Sequence, residues 1–151
     1  NHNLTTNVSW TYRRFAIMRT AELYLNYAEA ANEVDGATPL VYDLVNTIRR
    51  RAGQPELPAG LTQEQMRDKI RQERRIELCF ENHRFWDVRR WKKGNKYFTK
   101  VQGADIVKQT DGRLMLTRSR LDRTWDEKYN LFPVPYSEIK KNSKLTQNEG
   151  W

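Results

Sequence analysis

Apolar residues recur at helical spacing near the start of the chain, and this pattern most constrains the fold. The first run ends at Asp35 and Gly36, where glycine readily takes the positive φ that ends a helix. The second run begins after Thr38, a suitable N-cap, and Pro39, which suits the first helical position. The two stripes consist of Leu23, Tyr24, Tyr27, Ala28, Ala31 and Val34, then Leu40, Val41, Leu44, Val45, Ile48 and Ala52. They predict a helical hairpin of about 34 residues, the length of a tetratricopeptide unit, although that repeat's signature residues are not clearly matched.

A third helix is predicted from Gln63 to Glu81. Thr62 and Gln65 have the capping-box spacing that marks a helix start. Further helical turns are expected from Arg84 to Trp91. The side chains that define one apolar face of the third helix are Met66, Ile70, Ile76 and Phe80.

Glu73, Glu77 and Glu81 lie within or beside this apolar face. One interpretation is a catalytic pair, because glycosidases use two carboxyl groups. Such groups must flank a substrate, however, whereas neighbours four residues apart on a helix point the same way. A buried carboxylate without a partner is costly, so we expect structural ion pairs instead. The candidate partners are Arg19, Arg49, Arg74 and Arg84.

Aromatic residues alternate with arginines from His83 to Trp91. This pattern is typical of platforms that stack nucleic-acid bases or sugars. It is also typical of aromatic anchors that pack in a core with guanidinium groups stacked on them. Because the segment continues a buried helix, we expect packing, with Trp86 and Trp91 largely buried.

The rest of the chain lacks a sustained period. Asp111 and Gly112 indicate a turn, and the flanking segments Tyr97–Val101 and Arg113–Thr117 are candidate short strands. Prolines keep Leu131–Pro135 extended. The fold class predicted is therefore mainly α, with helical hairpins related to tetratricopeptide repeats, irregular loops, short strands and an extended C-terminal tail.

Composition disfavours several classes of function. The net charge is +8, but the basic residues are spread through predicted helices beside acids, which disfavours a nucleic-acid groove. The single cysteine, Cys79, forms no internal disulfide and is expected to be a small buried residue. One cysteine and two histidines make a poor metal set, and we expect no cofactor. No apolar run approaches the roughly 18 residues of a membrane span.

Four blocks of sequence, in order, resemble the RagB/SusD family. IRQERRIELCFENHRFWDVRRW, from Ile70 to Trp91, is similar to the family's ERR-x-EL-x-FE and R-x-x-D-x-R-R-W stretches. RTAELYLNYAEAAN, VNTIRRRAG and LFPVPYSEIKKNSKLTQNEGW resemble two further helices and the C-terminal ending. The chain departs from the family at Asn82, where glycine is common, and at Glu149, where proline is common.

The resemblance implies that residues 1–151 are the C-terminal domain of a larger exported protein of Bacteroidetes-type bacteria. The chain opens on Asn1 without a signal peptide, and we expect any export signal and lipid anchor to lie upstream. Family members are outer-membrane lipoproteins exposed at the cell surface. They bind glycans or other nutrients without catalysis and act with a SusC-like TonB-dependent transporter.

Three aromatic residues are candidates for ligand contacts. Trp10 and Tyr12 precede the first helix near Asn7 and Arg13, and Tyr97 is expected in a polar loop. Sugar rings pack on aromatic faces, and loops on a rigid scaffold concentrate recognition residues. The alternative is that Trp10 and Tyr12 pack a short strand onto the hairpin.

Two other functions stay open from the residues alone. A protein-interaction module built from helical hairpins would share the scaffold, and a long exposed apolar groove would favour it. An enzyme that uses Glu73 and Glu77 is disfavoured, because the sequence offers no convincing nucleophile, metal set or Gly-rich phosphate loop.

Overall fold

The computed structural model describes residues 17–151, which form two compact units divided after Glu81. Trp10 and Tyr12 lie outside the described residues. The predicted mainly helical architecture is confirmed. Within residues 17–151, no helix combines the length and apolar character needed to cross a membrane.

Three helices build the first unit: α1 Thr20–Asp35, α2 Pro39–Arg51 and α3 Gln63–Glu77. The helical hairpin of α1 and α2 is confirmed, and α1 contacts both α2 and α3. Its core consists of Ala28, Ala31, Val41, Val45, Leu57, Met66 and Ile70, and a second cluster contains Leu25, Ile48 and Leu78. The small alanines of α1 allow the flanking helices to approach closely.

Polar side chains hold the segment between α2 and α3 in place. The Oδ1 atom of buried Asn46 accepts a hydrogen bond from the backbone N–H of Leu57 at 2.9 Å. The hydroxyl of Tyr42 accepts one from the N–H of Leu61 at 2.8 Å. These bonds satisfy backbone donors that the loop would otherwise bury without a partner.

The apolar stripe of α1 is broader than one buried face. Of its six predicted members, only Ala28 and Ala31 are buried, whereas Leu23, Tyr27 and Val34 are exposed. Together with exposed Ala30 they form a second apolar face, which we call the outer stripe of α1. A helix that is apolar on two sides is typical of one packed on two sides.

The end of α3 corrects three predictions. The helix ends at Glu77 rather than Glu81, and the chain then turns through Phe80, which has a φ of 64°. This turn points Phe80 and Cys79 outward, so that Phe80 is 96% exposed and Cys79 is also exposed. Ile76 is exposed as well. The predicted burial of Cys79 and Phe80 was wrong because it extended the helical period past the end of α3, whereas Ile76 lies within α3 on a side that faces solvent.

The second unit combines short helices with a β-hairpin. Its elements are α4 His83–Arg90, α5 Gly94–Tyr97, β1 Lys100–Lys108, β2 Leu114–Asp122, a 3₁₀ turn Glu127–Asn130 and α6 Tyr136–Lys141. The expected helical turns after Arg84 are confirmed as α4. The strands pair antiparallel, from Lys100 opposite Asp122 to Lys108 opposite Leu114. The predicted second strand is confirmed from Leu114 on, but a strand over residues 97–99 is wrong, because Tyr97 ends α5 and β1 begins only at Lys100.

The C-terminal tail is pinned to the extended segment that precedes α6. The side chain of Gln147 accepts a hydrogen bond from the N–H of Val134 at 2.7 Å and donates one to its carbonyl at 3.0 Å. Asn148 donates to the carbonyl of Phe132 at 2.6 Å. The indole N–H of Trp151 donates to the carbonyl of Lys128 at 3.1 Å. The final aromatic therefore closes the unit.

The predicted capping box at the start of α3 is confirmed and gives a direct stability test. The hydroxyl of Thr62 accepts from the N–H of Gln65 at 3.2 Å, and the Gln65 side chain accepts from the N–H of Thr62 at 2.9 Å. We expect Thr62→Ala to lower the free energy of unfolding by about 1 kcal/mol. Thr38→Ala is the control, because Thr38 caps α2 without a side-chain hydrogen bond. Denaturant titration should show a clearly smaller loss for the control, and equal losses would contradict the assignment.

Candidate functional site

A network of arginines and glutamates joins the three helices of the first unit. Glu77 pairs with Arg19 and with Arg51, the latter at 2.6 Å. Arg19 also pairs with Glu81 at 2.8 Å and donates to the backbone carbonyl of Glu77. The Glu81 hydrogen bond, followed by that of Glu77, outweighs burial and raises the pKa of the Arg19 guanidinium. Arg19 therefore ties the start of α1 to the end of α3.

A second part of this network is more deeply buried. Glu73 pairs with Arg49 of α2 at 2.7 Å. Arg74, with a side-chain exposure of 3%, donates to the Oδ1 atom of Asn26 at 2.5 Å and lies 3.8 Å from a carboxylate oxygen of Glu29. The predicted ion pairs of the three glutamates are thus confirmed, and Arg51 is a partner that was not predicted. Because their oxygens are held by arginines, these carboxylates have the role of structural ties between helices.

The aromatic-arginine segment divides between core and surface. Trp91 is 8% exposed, as predicted, but Trp86 is 56% exposed, so its predicted burial was wrong. Trp86 stacks edge-on against Phe85 with ring centroids 5.1 Å apart, and Phe132 lies 5.8 Å from Trp86. Asp87 and Val88 occupy the buried face of α4 instead. An eight-residue helix has one buried face, and Trp86 lies on the opposite side.

Next to this cluster, the second unit contains a cavity of about 420 Å³ that we call the aromatic pocket. Aromatic rings dominate its wall, and two arginines and a threonine supply polar groups. The lining side chains are Phe85, Arg89, Phe98, Val101, Arg123, Thr124, Trp125 and Tyr129. They come from α4, the base of the β-hairpin and the 3₁₀ turn. The pocket is therefore assembled by folding from residues distant in sequence.

Trp125 is the fixed wall of the aromatic pocket. Its ring packs directly on buried Gly94, where an added Cβ would lie 1.9 Å from the indole. Only glycine leaves room for the ring, so Trp125 is an anchor. Phe98 and Tyr129 both pack against it, with centroids 5.2 Å and 5.6 Å away.

Tyr97 lies outside this wall. The expected polar loop is wrong, since Tyr97 ends the short helix α5 and is half-buried. The guanidinium of Arg84 stacks over its ring at 4.2 Å. Its ring face is thus already occupied on one side, and its neighbour Phe98 faces the pocket instead.

Sequence reasoning missed Phe98, Arg123 and Tyr129 as candidates. They fall in the region without a sustained period, so nothing local indicated which way they point. The available signal was the density of aromatic residues beside Arg123 between Thr124 and Phe132. No group of three or more His, Cys, Asp or Glu side chains in residues 17–151 is arranged to hold a metal ion.

The architecture is that of a helical, tetratricopeptide-related protein, and comparison with known proteins identifies its family. The SusD family model matches residues 2–151, and the chain belongs to the SusD family. SusD-like protein P2 of Formosa agariphila is 33% identical over 138 residues, which cover 87% of this chain and 24% of that protein. The chain thus spans about a quarter of the length of this relative.

Solved structures share the fold. A SusD-like protein from Bacteroides fragilis is 42% identical with a TM-score of 0.79, covering 91% of this chain and 26% of that one. A SusD-like carbohydrate-binding protein from Bacteroides vulgatus is 23% identical with a TM-score of 0.61, covering 87% and 29%. Because its sequence identity is only 23%, the similarity to the second structure concerns the fold alone.

The arginine–glutamate network predicts that Glu77 acts in stability. Glu77→Gln removes the charge shared by Arg19 and Arg51, and we expect a loss of about 1–3 kcal/mol in the free energy of unfolding. Glu138→Gln is the control, because Glu138 pairs with Lys141 at an exposed site and such pairs contribute little. Thermal denaturation measures both variants. Unchanged stability of Glu77→Gln together with loss of a glycan-hydrolysing activity would restore the catalytic interpretation.

Proposed function

We propose that this chain is part of a cell-surface protein that binds glycans without modifying them. The observation that carries the proposal is the aromatic pocket, in which Phe98, Trp125 and Tyr129 surround a cavity of about 420 Å³. Membership of the SusD family supports it.

The chemistry of the pocket matches a sugar ring. The axial C–H groups of a pyranose pack on aromatic faces, while its hydroxyl groups require hydrogen-bond partners at the edge. Arg123 and Thr124 supply such groups beside Trp125. A volume of about 420 Å³ lies within the usual range for small-ligand sites. The site therefore has room for one or two sugar units.

Binding without catalysis is supported by the state of the carboxylates. A glycosidase needs two carboxyl groups that flank the glycosidic bond. Glu73 and Glu77 lie in the first unit, where Arg49, Arg19 and Arg51 hold them. Among the described residues that line the aromatic pocket, none is acidic.

The three aromatic residues suggested by the sequence as ligand contacts have secondary roles in this proposal. Trp10 and Tyr12 lie outside the described residues and stay proposed contacts. Tyr97 stays a proposed contact as well, although Arg84 and Lys96 both lie over its ring, at 4.2 Å and 5.4 Å from its centroid. The aromatic pocket becomes the main proposed site.

We also propose that the chain is the C-terminal domain of a longer lipoprotein at the outer membrane. The relatives it matches are about four times longer, since the matched region is 24% of SusD-like protein P2. Such a protein would pass its glycan to a SusC-like TonB-dependent transporter. Co-purification of the natural protein with an outer-membrane transporter tests this partnership.

One observation favours the alternative function, a helical module that binds another protein. The outer stripe of α1 exposes Leu23, Tyr27 and Val34, the last of them by 81%. A simpler explanation than a separate partner protein is that a further helix of the proposed longer polypeptide packs on this stripe. Protection of α1 amides in the natural protein by hydrogen exchange, without any added partner, would support that occupant.

The aromatic pocket predicts that one ring controls glycan affinity. Tyr129→Leu keeps an apolar side chain but removes the flat face, so glycan affinity should fall roughly tenfold, or about 1.4 kcal/mol. Tyr136→Leu is the matched control, because Tyr136 is 70% exposed on α6 and does not line the pocket. A glycan array followed by calorimetry with the natural protein gives the affinities, and the melting temperature confirms folding. Equal affinities of the two variants would remove the pocket from the proposal.

A further inference from the structure

The aromatic pocket has an unbalanced charge. Two guanidinium groups, those of Arg89 and Arg123, line it, whereas no acidic side chain of the described residues does. Some other arginines of the second unit have local acidic partners: Arg120 pairs with Asp122 at 2.8 Å, and Arg90 with Asp87 at 3.0 Å. The two arginines of the aromatic pocket, in contrast, have no acidic side chain beside them in its lining.

Arg89 supplies a positive charge from the wall. Its guanidinium stacks over the Phe85 ring at 3.5 Å, with Phe132 at 5.3 Å and Trp125 at 5.5 Å. Its Nε and Nη1 atoms are buried and make no hydrogen bond within residues 17–151. Burial among these rings also lowers the pKa of Arg89. A cation that is poorly solvated and lacks a salt-bridge partner is stabilised when an anion approaches.

Arg123 supplies the donors that a ligand reaches directly. It follows β2, and its backbone N–H donates to the carbonyl of Thr99 at 2.8 Å, which fixes its position at the base of the hairpin. Its side chain is exposed and makes no ion pair with any described residue. An exposed guanidinium at the rim of an aromatic cavity presents its planar fork to a carboxylate or sulfate.

From this arrangement we propose that the glycan bound in the aromatic pocket is anionic, with a carboxylate or sulfate group held by Arg123 within the positive field of Arg89. This inference rests on the proposed glycan-binding function and names the class of glycan. The sugar ring packs on Tyr129 and Phe98, and its charged substituent points towards the rim. A neutral sugar in the same position would leave both cations without a counter-charge.

Matched pairs of oligosaccharides test the inference with the natural protein. Oligogalacturonate and its methyl ester differ in the carboxylate charge, and κ-carrageenan oligosaccharides and their desulfated forms differ in sulfate. We expect one anionic member to bind at least tenfold more tightly than its neutral counterpart, with an affinity that falls as salt rises. The pair that shows this difference identifies the anion as carboxylate or sulfate.

Two variants assign the effect to the pocket. Arg123→Gln should lower the affinity for the anionic member roughly tenfold more than the affinity for its neutral counterpart, because glutamine can still hydrogen-bond hydroxyl groups but carries no charge. Arg118→Gln removes the same charge from an exposed site on β2 outside the pocket, and it should change neither affinity. Melting temperatures verify that both variants fold.

The outcomes separate this inference from the proposed function. If neutral glycans bind as tightly as their anionic counterparts, the inference is wrong and glycan binding stands. If an anionic glycan binds but Arg123→Gln has no more effect than Arg118→Gln, the anion is held elsewhere and the inference is wrong. If no member of the panel binds, the inference is wrong, and the glycan array decides separately whether the proposed glycan binding stands.

Discussion

The first unit depends on the ion pairs at the C-terminal half of α3. This helix is strongly charged, and its apolar contribution to the core comes mainly from Met66 and Ile70 in its first half. Beyond Ile70 the buried positions are Glu73 and Arg74, so packing there requires that each charge has a partner. Arg49 of α2 and Arg19 at the start of α1 provide partners for α3 carboxylates.

The need for a partner at each buried charge explains why the glutamates recur along one side of α3 although they are not catalytic. Removal of one partner would leave the other charge poorly solvated and unpaired. The free-energy cost of that unpaired charge is larger than the net gain of the ion pair over an apolar contact. The network therefore specifies the arrangement of the three helices more than it adds net stability. Arg51, which is more exposed, adds a second contact to Glu77.

Much of the first unit was predictable because its signals are local. The capping box at Thr62 and the break at Gly36 and Pro39 follow from spacing along one or two helices. The glutamates were expected to need arginine partners because an unpaired buried carboxylate is costly. Two of the errors, those at Cys79 and Phe80, have a common cause, the extension of α3 beyond Glu77. A short turn with Phe80 in a positive-φ conformation moves Cys79 and Phe80 to the surface, and periodicity gives no warning of such a turn.

The second unit was less predictable because its site is made by tertiary contacts. The close packing of Trp125 on Gly94 joins positions 31 residues apart, and neither residue has a periodic pattern around it. In the folded chain Phe98 and Tyr129 both pack against this indole. The family resemblance identified the scaffold, whereas the pocket and its two uncompensated arginines became visible only in the folded chain.

The most direct test of the central claim is a crystal structure of the natural protein with an oligosaccharide bound. Crystals soaked with oligogalacturonate or κ-carrageenan oligosaccharides would show where a sugar lies. The account predicts a sugar ring against Tyr129 and Phe98, with its charged group within hydrogen-bonding distance of Arg123. An ordered sugar at another surface, with the aromatic pocket filled by side chains of the same protein, would contradict it.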